Sequence, residues 1–184
     1  MNDLDKERQT EGSKAWYAIQ TFYCKEEHLG KYLEKKGVNY FIPMRFVEYE
    51  TLDGKKHRKL TPAVHNLLFI EKEFTEKELL ERVKDCTIPF LLVRDRSTRR
   101  CYEIPDHEML EFRAVCDPNY KGTLYVDTVT AEARPGQAVR VIRGPFAGLE
   151  GKLTQYKKSY YVVVTLATIG VMLHIPKWYC EKIN

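Results

Sequence analysis

The sequence predicts an α+β domain, with an antiparallel sheet and helices, followed by a small β-barrel. Two observations in the 184 residues predict this order. Between residues 16 and 116, short runs of branched and aromatic residues alternate with segments of helical period. Residues 135–153 then combine alternating valines with four glycines. A tightly curled barrel needs such glycines where its strands bend.

The first strand and helix are predicted near the start of the chain. Residues 16–21 are rich in aromatic and branched side chains, which favours a strand. Residues 25–36 place Leu29 and Leu33 at helical spacing, and a glycine follows where the helix is expected to end. Residues 38–42 predict a second strand, which a proline ends.

A long β-hairpin is predicted over residues 44–61. Polar and apolar residues alternate along its first arm, and Asp53-Gly54 is a strong hairpin-turn signal. The returning arm, residues 55–59, reads Lys-Lys-His-Arg-Lys and is too charged to belong to a core. We therefore expect it to project into solvent.

The rest of the first domain repeats the strand and helix pattern. Residues 67–70 are a short apolar run typical of a central strand. Thr75 and Glu78 have the spacing of a capping box, which predicts the start of a helix. Residues 90–93 predict a further strand and residues 105–116 a further helix. The order strand, helix, strand, strand, helix, strand is typical of a ferredoxin-like arrangement, with the helices on one face of the antiparallel sheet.

The second domain is predicted to be a barrel of about five strands. Residues 120–133 give weak signals and are interpreted as a linker with one short strand. Beyond the glycine-rich stretch, strands are predicted at residues 153–156, 160–166 and 171–175. The predicted boundaries are residues 1–13 for a disordered tail, 14–118 for the first domain, 119–133 for the linker and 134–184 for the barrel.

Charge is distributed unequally between these parts. From Arg134 onward, eight Lys or Arg residues oppose two Asp or Glu residues, a net charge of +6. The preceding residues hold twenty-two against twenty-four, a net charge of −2. The basic barrel is therefore compatible with contact to RNA or to an acidic partner.

Composition also bounds the compartment and the chemistry. No apolar run is long enough to span a bilayer, and residues 1–13 lack the apolar stretch of a signal peptide. The five cysteines are scattered and contain no Cys-x-x-Cys pair, which favours reduced thiols over disulfides or a zinc site. They are Cys24, Cys86, Cys101, Cys116 and Cys180. We therefore expect a cytoplasmic protein with no membrane partner and no cofactor.

The sequence contains no catalytic motif that we could identify. Gly-x-Ser-x-Gly, phosphate-binding glycine loops and His-Glu-x-x-His are all missing from the sequence. Cys24 and His28 could pair a thiolate with a base, but a half-buried thiol beside a surface histidine is favoured. The acidic group of Asp106, Glu108 and Glu111, beside His107, is interpreted as a solvated helix face. The sequence therefore predicts a protein that is not an enzyme.

A resemblance to a known family rests on the glycine-rich stretch and on the α+β domain before it. Residues 136–151 match the KOW motif, which has a glycine, alternating valines around an arginine, Gly-Pro-Phe and two further glycines. An α+β domain opening on Trp16-Tyr17 and joined to such a barrel resembles the NusG family of transcription elongation factors. The fold implied is a NusG N-terminal-like (NGN) domain followed by an SH3-like KOW barrel. The resemblance covers nearly the whole chain from Lys14.

Within that family the chain looks closer to specialised paralogs such as RfaH and the UpxY-like antiterminators of polysaccharide loci. The spacing from Trp16-Tyr17 to Pro43 matches the RfaH type without a gap. Asn66, before the run Leu-Phe-Ile-Glu at residues 68–71, matches it too, whereas housekeeping members usually carry glycine there.

The resemblance implies a polymerase-binding site. In the family an apolar concavity on the first domain grips the clamp helices of RNA polymerase. The matching positions are Gln20, Val64, Leu67 and Phe69. The sequence departs from the family because Val64-His65 replaces Phe-Pro and Leu67 replaces a tyrosine. Alternatively, Leu67 and Phe69 are simply core residues of a strand.

The resemblance also implies contacts with DNA. In specialised members the first helix touches the non-template strand, and the matching positions here are Tyr32 and Lys35. Lys25 and Lys31 lie nearby, and Arg45 is also counted among the candidate DNA-binding residues. Residues 55–59 are a second candidate, for contact with upstream DNA. Equally, Tyr32 could be core and the lysines could serve only solubility.

For the barrel, the family implies binding of NusE, a small-subunit ribosomal protein, or of the termination factor Rho. The implied residues are Phe146 and an exposed Ile169 at a hairpin turn, although Ile169 could pack on Phe146. The strongly β-favouring residues 161–165 argue against a helical alternate state of the barrel.

The function implied is transcription elongation and antitermination, for specific operons such as surface polysaccharide loci. The alternative is a KOW-type RNA-binding or ribosome-associated protein. A cysteine-dependent enzyme around Cys24 is a weaker third hypothesis.

Overall fold

The computed structural model of the chain describes residues 14–95, 97–120, 122–127, 131, 135–166 and 169–183. The predicted tail, residues 1–13, lies outside the described residues. Among the described residues, two sheets and a separate hairpin account for the strands, and three helices accompany the first sheet.

The first sheet has the predicted ferredoxin-like order. Its strands run β2-β5-β1-β6, and every pairing is antiparallel. A further short strand, β7, pairs with the beginning of β1. The strands are β1 (Ala15–Thr21), β2 (Tyr40–Phe41), β5 (Leu67–Glu71), β6 (Phe90–Leu92) and β7 (Glu103–Pro105). The helices are α1 (Glu26–Lys35), α2 (Glu76–Arg82) and α3 (Asp106–Val115).

The helices cover both faces of this sheet, so the expectation that they lie on one face was wrong. Helices α1 and α2 pack on one face, where odd-numbered residues of β1 and even-numbered residues of β5 are buried. Helix α3 packs on the other face through Met109 and Phe112, against Ala18, Leu67 and Phe69. Strand alternation therefore gives this sheet two apolar faces. The first face buries Tyr17, Ile19, Leu68 and Ile70 against Leu29, Leu33, Leu79 and Val83.

Local signals in the sequence are found at the helix starts and turns. The Thr75 hydroxyl accepts from the Glu78 backbone N–H and the Glu78 carboxylate accepts from the Thr75 N–H, so the predicted capping box is confirmed. Strand β2 is shorter than the predicted residues 38–42. The N–H of Val38 instead donates to the Leu33 carbonyl and closes α1.

The predicted hairpin forms a two-stranded sheet of its own. Strand β3 (Met44–Glu50) pairs with β4 (Lys56–Pro62) in full register, from Met44 opposite Pro62 to Glu50 opposite Lys56. Gly54 has a φ of +77° in the turn, a conformation that glycine adopts without strain. The charged arm is exposed, as the sequence predicted.

The second sheet forms the small β-barrel. Its antiparallel order is β13-β9-β10-β11-β12-β8. Strand β8 falls within the predicted linker, where one short strand was expected, and it pairs with β12. The domain boundaries themselves stay a prediction. The strands are β8 (Thr123–Asp127), β9 (Gln137–Val141), β10 (Glu150–Tyr156), β11 (Ser159–Leu166), β12 (Ile169–His174) and β13 (Cys180–Lys182), with a 3₁₀ turn at Lys177–Tyr179.

One glycine of the KOW run is explained by close packing. A Cβ atom on Gly151 would lie 2.6 Å from the Val163 carbonyl oxygen of the neighbouring strand. Strands β10 and β11 can therefore approach here only because residue 151 has no side chain. The interior beside it is filled by branched residues of β9, β11 and β12, including Val139, Val141, Val162, Val171 and Leu173.

Helix α3 also contacts the second sheet. The Thr123 hydroxyl of β8 donates to the Val115 carbonyl at 3.3 Å. Cys116, the residue after α3, is 3% exposed and packs in the same cluster as Tyr125 of β8. The apolar cluster on this side of α3 is thus continuous with the barrel interior.

Candidate functional site

The candidate polymerase-binding residues lie at one end of the sheet face that α3 covers. Gln20 of β1 pairs with Leu67 on one side and with Leu91 of β6 on the other. Gln20 is exposed, Leu67 is 4% exposed and Leu91 is 58% exposed. The β6 end of this row is exposed to solvent, so the exposed Leu91 lies beside the predicted residue Gln20.

The next row of the same face is covered. Phe69 is fully buried, with the Phe112 ring 5.4 Å away edge-on and the Phe41 ring 6.3 Å away in a stacked arrangement. The Arg113 guanidinium lies over the Phe41 ring at 5.3 Å. Phe69 therefore supports this surface from beneath and presents no area to a partner while α3 stays in place.

Val64 completes the surface from the loop between β4 and β5. It is half-buried and packs against the cluster that contains Leu67 and Phe69. The structure thus brings together all four predicted residues, but only Gln20 and Val64 are accessible. Leu91 was missed by the sequence reasoning, although alternation along residues 90–93 could have placed it opposite the core residues Phe90 and Leu92.

A buried carboxylate fixes the loop that carries Val64. Glu26, at the start of α1, is 1% exposed. It accepts the Asn66 backbone N–H at 3.2 Å and the Thr21 hydroxyl at 3.4 Å. His65 Nδ1 lies 3.2 Å from the other carboxylate oxygen. The loop before β5 is therefore tied to the beginning of α1 by satisfied polar contacts.

Asn66 adds a second tie. Its φ is +61°, a left-handed conformation that asparagine tolerates better than most residues. Its side-chain oxygen accepts the Cys24 backbone N–H at 2.8 Å. The Asn66 side chain therefore holds two loops together.

The candidate DNA-binding residues of α1 fall into two groups. Lys25, Lys31 and Lys35 are exposed. Tyr32 is half-buried, and its hydroxyl donates to Asp85 at 2.5 Å. Lysines four residues apart share one stripe of a helix, so Lys31 and Lys35 can present their charges together.

Asp85 accepts a second donor besides Tyr32. Lys36 Nζ lies 2.7 Å from its other carboxylate oxygen. The hydrogen bond from Lys36, with that from Tyr32, lowers the pKa of Asp85 to about 2. The Tyr32 hydroxyl is thus hydrogen-bonded to an ionised carboxylate, which fixes the position of the Tyr32 ring.

The two faces of the β3–β4 hairpin differ in charge. One face carries Arg45, Val47 and Tyr49 opposite Thr61, Lys59 and His57, and bears cations without a carboxylate. The other face pairs Glu48 with Arg58 and Glu50 with Lys56. Tyr49 and His57 stack on the first face with ring centroids 5.7 Å apart. We call the first face, defined by Arg45, Val47, Tyr49, His57, Lys59 and Thr61, the basic hairpin face.

The candidate barrel residues are placed differently from each other. Phe146 is half-buried and meets the Tyr120 ring edge-on at 4.7 Å. Ile169 is 2% exposed and begins β12, so the expectation of an exposed isoleucine at a turn is not met. Its side chain belongs to the barrel interior, in the cluster against which Phe146 also packs.

Two protein-family models match this chain. The model described as "Transcription termination factor nusG" matches residues 14–113, which is more than half of the chain. A model of the KOW motif matches residues 135–166. This chain belongs to the NusG family. A search of curated proteins found no match to it.

NusG-family membership supports a role as a transcription elongation or antitermination factor. The proteins of this family are transcription factors and not enzymes. In this NusG-family chain, Cys24 and His28 are both exposed, so the expectation of a half-buried Cys24 thiol is not met. Burial raises the pKa of Cys101 to about 11. Across the described ranges, no helix has the length and apolar character needed to cross a membrane.

Proposed function

We propose that this NusG-family chain is a specialised paralog of the RfaH or UpxY type. It binds RNA polymerase through its first domain and promotes processive elongation, or antitermination, of specific operons such as surface polysaccharide loci. The observation that carries the proposal is the open row Leu91–Gln20–Leu67, flanked by Val64 and backed by buried Phe69.

This row suits a helical partner such as the clamp helices of the polymerase. Leu91 is more than half exposed on an edge strand, and Val64 presents further apolar area. Burying apolar surface contributes roughly 25 cal/mol per Å², so two aliphatic side chains supply part of an interface. Gln20 lies between them and can hydrogen-bond to the partner. Leu67 and Phe69 keep the surface rigid from below.

DNA contacts would come from two other elements in the proposed complex. Lys31 and Lys35 on α1 can neutralise phosphates of an exposed non-template strand. The basic hairpin face can do the same for upstream DNA, since no carboxylate lies on it. The hydrogen bond to Asp85 favours Tyr32 as a residue that orients α1, with stacking on a base as the lesser role.

The barrel would recruit a second partner, NusE or Rho. Phe146 is the better candidate contact, because it is half-buried on the surface whereas Ile169 is enclosed. Ile169 would act by supporting the wall on which Phe146 packs.

Polymerase binding tests the proposal directly. We expect Leu91→Asp and Val64→Asp to weaken binding to bacterial RNA polymerase at least tenfold, because each places a charge in an apolar contact. Leu80→Asp is the matched control, since Leu80 is 44% exposed on α2, which packs on the opposite sheet face. The thermal midpoints of all three variants should stay near the wild-type value.

An elongation assay with a candidate leader sequence adds a functional measurement. The proposal predicts fewer pauses with the wild-type chain and none of this effect with Leu91→Asp. If Leu91→Asp and Val64→Asp both bind polymerase and suppress pausing as well as the wild-type chain does, this surface is not the polymerase-binding site.

The alternative is an RNA-binding or ribosome-associated protein, which the +6 net charge of the barrel segment favours. Retention on ribosomal RNA, without any binding to polymerase, would select this alternative.

A further inference from the structure

A cleft lies between the base of the β3–β4 hairpin and the chain that leads from α3 into β8. Its volume is about 410 Å³, which is within the range of pockets that hold small molecules. The hairpin forms one side of it, and residues 117–120 and 123–125 form the other. Only two of its lining residues, Arg45 and Arg58, belong to the candidate DNA contacts. We call it the hairpin cleft and define it by Arg45, Phe46, Arg58, Asp117, Tyr120 and Tyr125.

The two arginines of the hairpin cleft have no acidic partner. Arg58 lies opposite Glu48 in the strand register, but the two side chains form no ion pair, and the Arg58 guanidinium lies 4.3 Å from the centre of the Phe46 ring. Arg45 is exposed and makes no hydrogen bond or ion pair with any residue that the structure describes. Burial raises the pKa of the Tyr125 hydroxyl, and the positive charge of Arg45 works against this rise, so the Arg45 side chain lies near Tyr125. Both cations can therefore meet an anionic ligand.

The hairpin cleft also contains two carboxylates, those of Glu48 and Asp117, so it suits a ligand that carries N–H donors as well as negative charge. Asp117 Oδ1 accepts the Asn119 backbone N–H at 2.9 Å and the Asn119 side-chain amide at 3.0 Å. These two bonds fix the orientation of the carboxylate. Asp117 Oδ2 accepts nothing from the described residues, so it is available to a ligand donor.

The tyrosine rings of the cleft are held in place by the protein. The Tyr120 hydroxyl donates to the His174 carbonyl at 2.6 Å, and the Tyr120 ring meets Phe146 edge-on. Tyr125 packs in the apolar cluster that contains Cys116. A flat ligand would therefore meet rings that are already positioned, which lowers the entropy cost of binding.

We propose that the hairpin cleft binds a guanine nucleotide. The base stacks on the aromatic side chains, and its neighbouring N1–H and 2-amino groups donate to Asp117. The phosphates lie against Arg45 and Arg58. Adenine presents an amino group beside an acceptor nitrogen, so it leaves the carboxylate poorly matched. Inorganic phosphate would use the arginines alone. This site goes beyond the proposed docking on polymerase and does not depend on it.

A nucleotide in this cleft also bridges two parts of the molecule. Its contacts come from the hairpin on one side and from β8 on the other. Tyr125 of β8 packs beside Cys116, the residue that follows α3. Bound nucleotide should therefore hold β8 against α3 and protect the Cys116 thiol further.

Calorimetric titration of the full chain with GDP, ADP and pyrophosphate tests the proposal. Arg45→Gln with Arg58→Gln removes the two phosphate contacts. Lys56→Gln with Arg143→Gln is the control matched in charge, since both side chains are exposed and lie outside the hairpin cleft. Asp117→Asn keeps Oδ1 for the Asn119 contacts but replaces the free carboxylate oxygen by an N–H donor. Xanthosine diphosphate is the matched ligand for this variant, because xanthine has a carbonyl where guanine has its amino group.

We expect GDP to bind the wild-type chain roughly tenfold more tightly than ADP or pyrophosphate, because only guanine satisfies Asp117. The arginine variant should lose roughly tenfold in GDP affinity, and the control should bind GDP as the wild type does. Asp117→Asn should weaken GDP binding and strengthen binding of xanthosine diphosphate. Saturating GDP should slow thiol labelling of Cys116 and leave that of exposed Cys24 unchanged.

Several outcomes would overturn the proposal. These are the lack of any binding at millimolar GDP, an equal loss of affinity in the Lys56 and Arg143 control, or wild-type affinity in the arginine variant. Equal affinities for GDP, ADP and pyrophosphate would reduce the site to a general anion contact and overturn the assignment to guanine. Asp117→Asn without a gain for xanthosine diphosphate would do the same. None of these measurements involves polymerase, so their failure is distinguishable from a failure of the docking surface.

Discussion

Asn66 meets two separate requirements, a left-handed backbone conformation and a side-chain hydrogen-bond acceptor. The φ of +61° can be met by glycine or asparagine, but only asparagine also accepts the Cys24 N–H. The choice of asparagine at position 66 therefore has a local physical reason. It fastens the loop with Val64 to the start of α1.

Substitutions at Asn66 should separate the contribution of the backbone conformation from that of the hydrogen bond. Asn66→Ala loses both the tolerated backbone conformation and the acceptor, and should lower the free energy of unfolding by about 2 kcal/mol. Asn66→Gly keeps the conformation and loses only the hydrogen bond to an exposed N–H, a loss of under about 1 kcal/mol. Urea unfolding of the two variants measures the difference. Equal losses of unfolding free energy in the two variants would show that backbone strain is not the main contribution to the effect of Asn66→Ala.

The carboxylate of Asp85 should titrate anomalously. Its pKa is lowered from 3.8 to about 2, first by Lys36 and then by Tyr32. Because the folded-state value lies below the ordinary one, the stabilisation is present above about pH 4 and is lost as the pH falls toward 2. Carbon-detected NMR should find the low midpoint. Lys36→Met should raise it more than Tyr32→Phe, and a midpoint near 3.8 in the wild type would contradict the contact geometry.

At the scale of elements, local signals predicted the helices and the hairpin well. The capping box at Thr75 and the turn at Asp53-Gly54 depend only on residues close in sequence, so the sequence alone determines them. Strand β7, Glu103–Pro105, was missed because three residues carry no usable period and their pairing with β1 is long-range. Alternation could have placed Leu91 on one side of its strand, but its position beside Gln20 follows only from the long-range pairing of β6 with β1.

The β3–β4 hairpin makes an element-scale prediction about DNA binding. Lys59 lies on the basic hairpin face opposite Val47, whereas Lys56 lies on the other face opposite Glu50. Lys59→Ala should weaken binding to a short DNA duplex and reduce the log–log salt slope by about 0.9, the contribution of one phosphate contact. Lys56→Ala is matched in charge and strand and should have little effect. Fluorescence anisotropy at three salt concentrations measures both.

Equal effects from the two lysines would show that the hairpin binds DNA only through its net charge. Neither substitution should change stability by more than about 0.5 kcal/mol, because both side chains are exposed.

At the scale of the whole molecule, the position of α3 decides what is accessible. The sequence predicted a helix at residues 105–116 and left open whether Leu67 and Phe69 form a binding site or belong to the core. Nothing local indicates which face α3 covers, since that depends on the crossing from β7 and on Phe112 meeting Phe69. The proposed polymerase-binding surface is consequently narrower than the four predicted residues suggest, and we expect it to extend toward Leu91.

The contact between α3 and β8 can be followed through the reactivity of Cys116. Burial raises the pKa of this thiol to about 12, so at pH 8 only about one molecule in 10⁴ carries the thiolate. Cys24 is exposed on the surface of the first domain. Treatment with a thiol reagent, followed by mass spectrometry of peptides, should show fast labelling of Cys24 and labelling of Cys116 slower by orders of magnitude.

Tyr125→Ala should open this protected site, because Tyr125 packs beside Cys116 from β8. Tyr49→Ala, a truncation on the exposed hairpin, should leave Cys116 protected. Rapid labelling of Cys116 in the wild-type chain would mean that the barrel separates from α3 in solution. In that case the apolar cluster shared by the two sheets would not hold the molecule together, and the two domains would move independently.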